Sequence, residues 1–401
     1  MPGYVHASRA DRIIRFPGPT ASPIPEGSRR MIQKVKALFA ASACAALYGR
    51  PRRPTHPPKD FLKNVKKILL VRDDHIGDLI CSLPVFEALK KALPDAHITL
   101  VASTYNAQIA EGNSFIDQIL HYPKHKHSTH GLRYVSAWQQ YRFLKSLRAK
   151  RFDLAIGLRS HFSRRQGQIV YASGAPYRLG HFPQRKGYRH LTFFYNIPAE
   201  NPRSYKHEVQ RSLDVVRSIG IDLADPFPEV KIDEVSRLFA EAQVKRLGIA
   251  GSPVIGYHIS NRDEVNCWSI KNFLKLIHLF QKNYRNSCHI ITYAPTDHTK
   301  AFELAASGGE GCHAIGTNTI REVGALQQKC QLFITVDGAP NHLSAALGIP
   351  TITLFGGSDP EIWGPWGPKN CSIKKSGDIN DIKAEDVLEK AANIINTHKP
   401  R

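Results

Sequence analysis

The chain has 401 residues, 42% of them hydrophobic, which is enough for two globular domains with ordinary cores. Its formal charge is +21, and residues 1–60 hold eleven Lys/Arg against three Asp/Glu, so +8 lies in that stretch and +13 in the rest. A basic excess implies an anionic partner; nucleic acid ranks last because there is no zinc-knuckle spacing and no aromatic–basic RNA-binding pattern, and without an apolar run of about 18 residues no segment is expected to span a membrane.

Residues 1–28 mix Pro, Arg, Gly and Ser and read as a disordered tail. Over 29–48, Met31, Ile32, Val35, Leu38, Phe39 and Ala46 share one helical face, and Arg29, Arg30, Lys34 and Lys36 mark its start. Two readings stand side by side: a basic amphipathic helix on an anionic membrane surface, or a helix packed on the body. The stretch starts too late and is too weakly apolar for a secretory signal. Residues 51–58 read as a linker. The first core strand begins only near Lys67, so removal of residues 1–60 is expected to leave the body folded.

From Val65 the pattern is α/β. Strands are predicted over 68–71, 97–102, 118–122 and 154–158, with helices over 79–93, 134–151, after His161 and over 205–219. A second series places strands at 254–258, 289–293, 332–336 and 351–355, with helices over 270–284, from His298 and over 341–347. Alternating strands and helices imply parallel sheets covered on both faces. The expectation is two doubly wound, Rossmann-like domains, 61–235 and 236–380, joined near 232–251. A closing helix, 383–396 within the tail 381–401, is expected to pack back toward the first domain. The seven cysteines are scattered, with no C-x-x-C, and read as reduced core residues.

Two turns carry chemistry. The first follows the strand 332–336 and reads Asp337-Gly338-Ala339-Pro340-Asn341-His342. Where such a loop meets a helix N-terminus, unpaired N–H groups and the helix dipole favour an anion. Pro340 suits the first helical turn and Gly338 admits close backbone approach. The stretch is either a phosphate-binding corner or an ordinary turn with Asp337 capping its helix. The second turn, Arg72-Asp73-Asp74-His75-Ile76-Gly77-Asp78, joins a buried strand to a helix, at the strand end where open α/β sheets bind ligands. Asp78 there is either a helix cap or a functional carboxylate. Asp73-Asp74 is not a D-x-D motif, and no metal site is expected.

Residues 336–343 with 345–350 and 354–356 resemble the D-[TG]-G-x-x-H-L-A-A-A-L-G-x-P-x-x-x-L-F-G signature of glycosyltransferase family 9, the bacterial lipopolysaccharide heptosyltransferases. Arg72, Gly77, Asp78 and Pro84 fall in register with the family's R-x-[SD]-x-[IL]-G-D-[VL]-[IL]-x-[ST]-x-P motif, with Ser82 one residue off. The resemblance implies the GT-B fold and metal-independent, inverting transfer of a sugar without a cofactor. The donor would be a nucleotide-sugar such as ADP-heptose, and the acceptor a lipid-linked or surface glycan on the inner face of the bacterial inner membrane. It makes Asp78 the base that deprotonates the acceptor hydroxyl. With the nucleotide-sugar held mainly by the second domain, Arg72, Asp74, His75 and Gly77 fall on the acceptor side and Asp337 to His342 on the donor side; Ser260 and Asn261, at the end of a central strand, are candidate hydrogen-bond donors to the nucleotide, with Arg262 beside them. His121, His125, His127 and His130 then read as a basic acceptor-side loop. Two departures stand out. Ala339 replaces the usual Gly, and Asn266-Cys267 occupies the place before Trp268 where the family often carries a phosphate-binding Lys or Arg; Arg262 is the candidate replacement. The rival readings are a nucleotide-sugar epimerase on the same scaffold and a non-catalytic nucleotide-sugar binder. A dehydrogenase is poorly supported, because no G-x-G-x-x-G follows the first strand.

Overall fold

A computed structural model describes residues 26–50, 58, 60–123, 137–200 and 205–397. The expectations for residues 1–25, for most of the linker 51–58 and for His125, His127 and His130 fall outside these. The chain opens with helix α1 (Glu26–Tyr48) and then builds a first sheet. Its strands are β1 (Lys67–Val71), β2 (His97–Ser103), β3 (Gln118–Tyr122), β4 (Leu154–Gly157), β5 (Tyr177–Gly180) and β6 (Ile197–Pro198). Helices α2 (Ile76–Ala92), α3 (Ala137–Ala149), α4 (Arg164–Ala172) and α5 (Glu208–Arg217) complete this half. After α6 (Glu234–Leu247) come β7 (Val254–His258), α7 (Ile270–Asn283), β8 (Cys288–Thr292), α8 (His298–Gly308) and β9 (Cys312–Ala314). The second half continues with α9 (Ile320–Gln327), β10 (Leu332–Val336), α10 (Ala339–Ala346) and β11 (Thr351–Phe355), and closes with α11 (Pro360–Trp363), β12 (Cys371–Lys374) and α12 (Ala384–Thr397).

The sheet orders are β3-β2-β1-β4-β5-β6 and β12-β11-β10-β7-β8-β9. Read from the opposite edge the second repeats the first, and every strand pair is parallel. Central strands such as Ile68-Leu69-Leu70-Val71 are buried throughout, because helices cover both faces. In each sheet the order reverses between the first and fourth strands: β1 with β4, and β7 with β10. Loops leaving the carboxyl ends of such a pair diverge and frame a ligand site. Both chemically interesting turns sit at these two points.

Four strands escaped prediction: β5, β6, β9 and β12. They have only two to four residues each, too few for an alternating pattern, and all four sit at or next to a sheet edge. The closing helix also departs from expectation. The apolar stripe of α12, with Val387 and Ala391 buried, packs on α7 and joins the second domain's core rather than reaching back to the first. Lys275 and Glu385 pair beside this contact at 2.6 Å.

Helix α1 settles on the first domain. Tyr48 is buried, Ala40 and Cys44 are partly so, and they join a core that includes Leu69, Val71, Leu144 and Phe194. Tyr48 also accepts a hydrogen bond from Gln168 at 2.8 Å, and Arg148 donates to the Tyr48 carbonyl at 3.1 Å. Deleting residues 1–60 would take Tyr48, Ala40 and Cys44 out of this core. Val35, Leu38 and Phe39 nevertheless stay 61–78% exposed. All seven cysteines are free; Cys81, Cys312 and Cys330 are buried and the other four half-buried.

Candidate active site

The site starts from Arg72, the residue after β1, whose side chain is buried at the switch point of the first sheet. Its guanidinium donates to four acceptors. Nε reaches Asp74 at 3.0 Å, Nη1 the Leu158 carbonyl at 2.5 Å, and Nη2 both Asp78 at 2.7 Å and Glu208 at 3.0 Å. One cation thus ties together the loop after β1, the end of β4, the first turn of α2 and the start of α5. Arg159 adds a second positive group, 3.3 Å from Asp74.

Asp78 is not the N-cap of α2. That position is His75, in an extended conformation and without a side-chain capping bond, and Asp78 stands in the first turn. Its carboxylate remains 17% exposed while its neighbours are closed off. Burial pushes its proton affinity up, Arg72 pulls it down, and Asp74 and Glu208 push it up again, leaving it raised to about 7. Burial also pushes Asp74 upward, but Arg72 and Arg159 outweigh it and hold Asp74 below its ordinary value. Two carboxylates four residues apart are therefore driven in opposite directions, the usual sign of an acid/base assignment.

The second signature turn meets the first directly. Helices α2 and α10 pack against each other, and His342 lies buried between them with Nδ1 3.6 Å from the Cys81 thiol. Burial and then His207 lower the His342 imidazole to about 3, so it is neutral. The resemblance placed His342 on the donor; the structure places it in the domain contact, with its ring edge-on to Trp363. A Cβ built on Gly77 would lie 2.5 Å from His342 Cδ2, so glycine is needed there for close approach. Gly77→Ala should therefore cost about 1–3 kcal/mol by forcing apart a packed contact. Chemical denaturation measures this, and unchanged stability would show that the α2–α10 contact yields.

On the donor side Gly338 adopts φ 153, ψ −174, a conformation that disfavours any side chain, and Ala339-Pro340 opens α10. Burial raises the Asp337 carboxylate, against hydrogen bonds from Ser358, the Gly338 N–H and Asn341. Asn341 donates to the Trp363 carbonyl at 2.9 Å. Ser260 and Asn261, expected to hydrogen-bond a nucleotide, have partners within the fold. Ser260 accepts from the Ala294 N–H at 2.8 Å, and Asn261 donates to the Asp337 carbonyl. They stitch the loops after β7, β8 and β10 together. Arg262 stays exposed with Asp263 beside it, at 3.5 Å, and its charge bears on Tyr105 of the first domain.

Three residues were missed. Asn266, where the family often has a cation, accepts from the Gly357 N–H at 2.8 Å and pins the turn after β11. His207 Nδ1 accepts from the Val209 N–H, so Nε2 carries the proton donated to the Gly364 carbonyl at 2.7 Å. Glu208 pairs with Arg72. His207 and Glu208 belong to no contiguous motif, and a charged residue opening a helix carries no periodic signal; Asn266 stands at a motif position, but its bond to the turn after β11 joins residues far apart in the chain.

A model of glycosyltransferase family 9 (heptosyltransferase) matches residues 140–392, more than half of the chain. The chain belongs to glycosyltransferase family 9. A putative glycosyltransferase of Haemophilus influenzae is 28% identical over 318 residues, covering 75% of this chain and 86% of that protein. Lipopolysaccharide heptosyltransferase 3 of Escherichia coli is 26% identical over 326 residues, covering 77% and 89%. Among solved structures, a family 9 glycosyltransferase from Veillonella parvula superposes with a TM-score of 0.74 at 21% identity, covering 83% of this chain and 98% of that one. The E. coli heptosyltransferase WaaC with ADP gives 0.65 at 19%, covering 82% and 99%. The two six-stranded parallel sheets are thus the two halves of a GT-B fold. The family model's match begins after the Arg72–Asp78 turn. Among the described residues no helix is long and apolar enough to cross a membrane, and no group of three or more His, Cys, Asp or Glu could hold a metal ion.

Proposed function

We propose that this glycosyltransferase moves a heptose from ADP-heptose onto a lipopolysaccharide or related surface-glycan acceptor, with inversion and with Asp78 as general base. The observation that carries the reading is Asp78 itself, a partly open carboxylate whose proton affinity is tuned to about 7, at the end of the first sheet's switch point. In the step, the acceptor O–H gives its proton to Asp78 as the oxygen bonds to the anomeric carbon. The bond from that carbon to the leaving phosphate oxygen breaks, and its electron pair departs on ADP. The N-terminus of α10 and the exposed Arg262 would stabilise the charge that develops on the diphosphate. Arg262 takes the place of the cation missing at Asn266-Cys267.

The test is donor choice followed by transfer. ADP-heptose at a hundred times its Kd should raise stability by about 2.7 kcal/mol, readable as a thermal shift. ADP should then be released only when a heptose-accepting core glycan is present. Stabilisation by a UDP-sugar and none by ADP-heptose would overturn the donor, and conversion of free ADP-heptose without an acceptor would favour the epimerase.

Helix α1 supports docking on the anionic inner face of the membrane. Val35, Leu38 and Phe39 form an exposed apolar patch at i, i+3 and i+4, in a segment whose sequence is rich in Lys and Arg. Because both side chains are exposed, Leu38→Glu with Phe39→Glu should leave the fold intact and abolish binding to anionic vesicles. Wild-type binding should weaken with salt. Equal vesicle binding by both proteins would remove α1 from any membrane role.

A further inference from the structure

Glu208 has no part in the transfer step, yet it is among the most completely buried charged residues of the molecule. It opens α5, 136 residues from Arg72 in the chain, and its Oε1 accepts from Arg72 Nη2 at 3.0 Å. Among the described residues its other oxygen, Oε2, makes no hydrogen bond, and it lies 3.4 Å from Arg211 Nη1. A buried carboxylate with one oxygen ion-paired but not hydrogen-bonded costs stability, so a purely structural role explains it poorly.

The geometry is specific. Nη2 of Arg72 carries two N–H groups; Glu208 takes one and Asp78 the other. Nε is held by Asp74 and Nη1 by the Leu158 carbonyl, so the planar fork cannot rotate to grip Asp78 with two bonds. Asp78 therefore receives a single bond from a cation whose charge is divided among three carboxylates. We propose that Glu208 is a positioning residue of this glycosyltransferase: by occupying the second N–H of Arg72 Nη2, it restrains the guanidinium from neutralising Asp78 and keeps that carboxylate able to accept the acceptor's proton. This rests on the reading of Asp78 as the base.

The charged and titratable groups that bear on Asp78 directly are Arg72 after β1, Asp74 on the loop, Cys81 on α2 and Glu208 at the start of α5. Around these lie Arg159 beside Asp74 and Arg211 beside Glu208, His161 after β4, and His342 of α10 beside Cys81. Glu208 and Asp78 share one nitrogen, which puts their oxygens within about 6 Å, inside the range where one carboxylate raises another's proton affinity. Asp74 acts through a different nitrogen and is further offset by Arg159.

The experiment is the pH profile of kcat/KM, which reports the free enzyme's essential base. In Glu208→Gln the acid limb should move down by about one pH unit, and the plateau should fall because a weaker base accepts the proton. In Arg211→Gln, which strips the counter-charge from Glu208, the limb should move up. A structural role alone would lower activity and melting temperature with the limb unmoved. If Glu208→Gln fails to fold, the upward shift in Arg211→Gln decides, and an unmoved or lowered limb there overturns the proposal. Asp78→Asn separates the two readings. Turnover surviving in that variant rejects Asp78 as base, whereas a dead Asp78→Asn beside an unmoved Glu208→Gln limb rejects only Glu208.

Discussion

Asp78→Asn will lower kcat by at least about a hundredfold while leaving stability and donor affinity near wild type. The substitution keeps the shape of the side chain and removes its basicity. Its helix suffers little, because Asp78 lies in the first turn of α2 and makes no cap, and the cap position itself is His75. Arg72 retains Asp74, Glu208 and the Leu158 carbonyl as acceptors, so the buried cation stays paired. The wild-type profile supplies a second signature. With the carboxylate raised to about 7, kcat/KM should fall about tenfold per pH unit below that value, since only the deprotonated form accepts the proton. The variant should lack this limb. Turnover within a few-fold of wild type would remove Asp78 from the mechanism and reopen the choice between transfer and epimerisation.

The parts of this site that are contiguous in the chain are legible in the sequence. Arg72 to Asp78 and Asp337 to His342 each occupy one turn between a buried strand and a helix, and the strand's apolar run marks where the turn must fall. Alternation of strands and helices likewise implies both doubly wound sheets. What is not legible is what separate turns do to each other. Glu208 reaches Arg72 from α5, and the helix pattern of α5 says only that an acidic residue is favoured at its first turn. His342 is assigned to the donor by the family motif, and nothing in the chain's pattern shows that α2 packs over it or that burial leaves its imidazole neutral. Ser260 and Asn261 read as donors to a nucleotide because they end a central strand, yet neighbouring loops take up their hydrogen bonds. The docking side of α12 is undetermined for the same reason: its apolar stripe requires a partner and does not say which.

The largest stability effect should come from Arg72→Met. Arg72 is 1% exposed and holds Asp74, Asp78 and Glu208 together, so methionine fills much of the volume and leaves three buried carboxylates without their common cation. Arg159 still faces Asp74 and Arg211 still faces Glu208, but Asp78 keeps no positive partner at hydrogen-bond distance among the described residues. Removing one member of a buried ion cluster typically costs about 3–5 kcal/mol. The loss should depend on pH in a direction fixed by the carboxylates. Arg72 lowers the proton affinity of both Asp74 and Asp78, so without it both rise in the folded state, Asp78 from a value already near 7. A carboxylate whose folded value lies above its unfolded value of about 4 binds more protons folded than unfolded, so the folded state gains stability as pH falls through the raised value. The deficit of Arg72→Met should therefore be largest at pH 8 and shrink toward pH 5, where Asp78 takes up its proton. Urea denaturation at the two pH values measures it, with m compared to confirm that the same transition is followed. The variant should also be nearly inactive at neutral pH, because Asp78 is then protonated when the acceptor binds. A loss below about 1 kcal/mol, or a deficit equal at both pH values, would show that the cluster is not held by Arg72 and would undercut the tuning of Asp78 along with it.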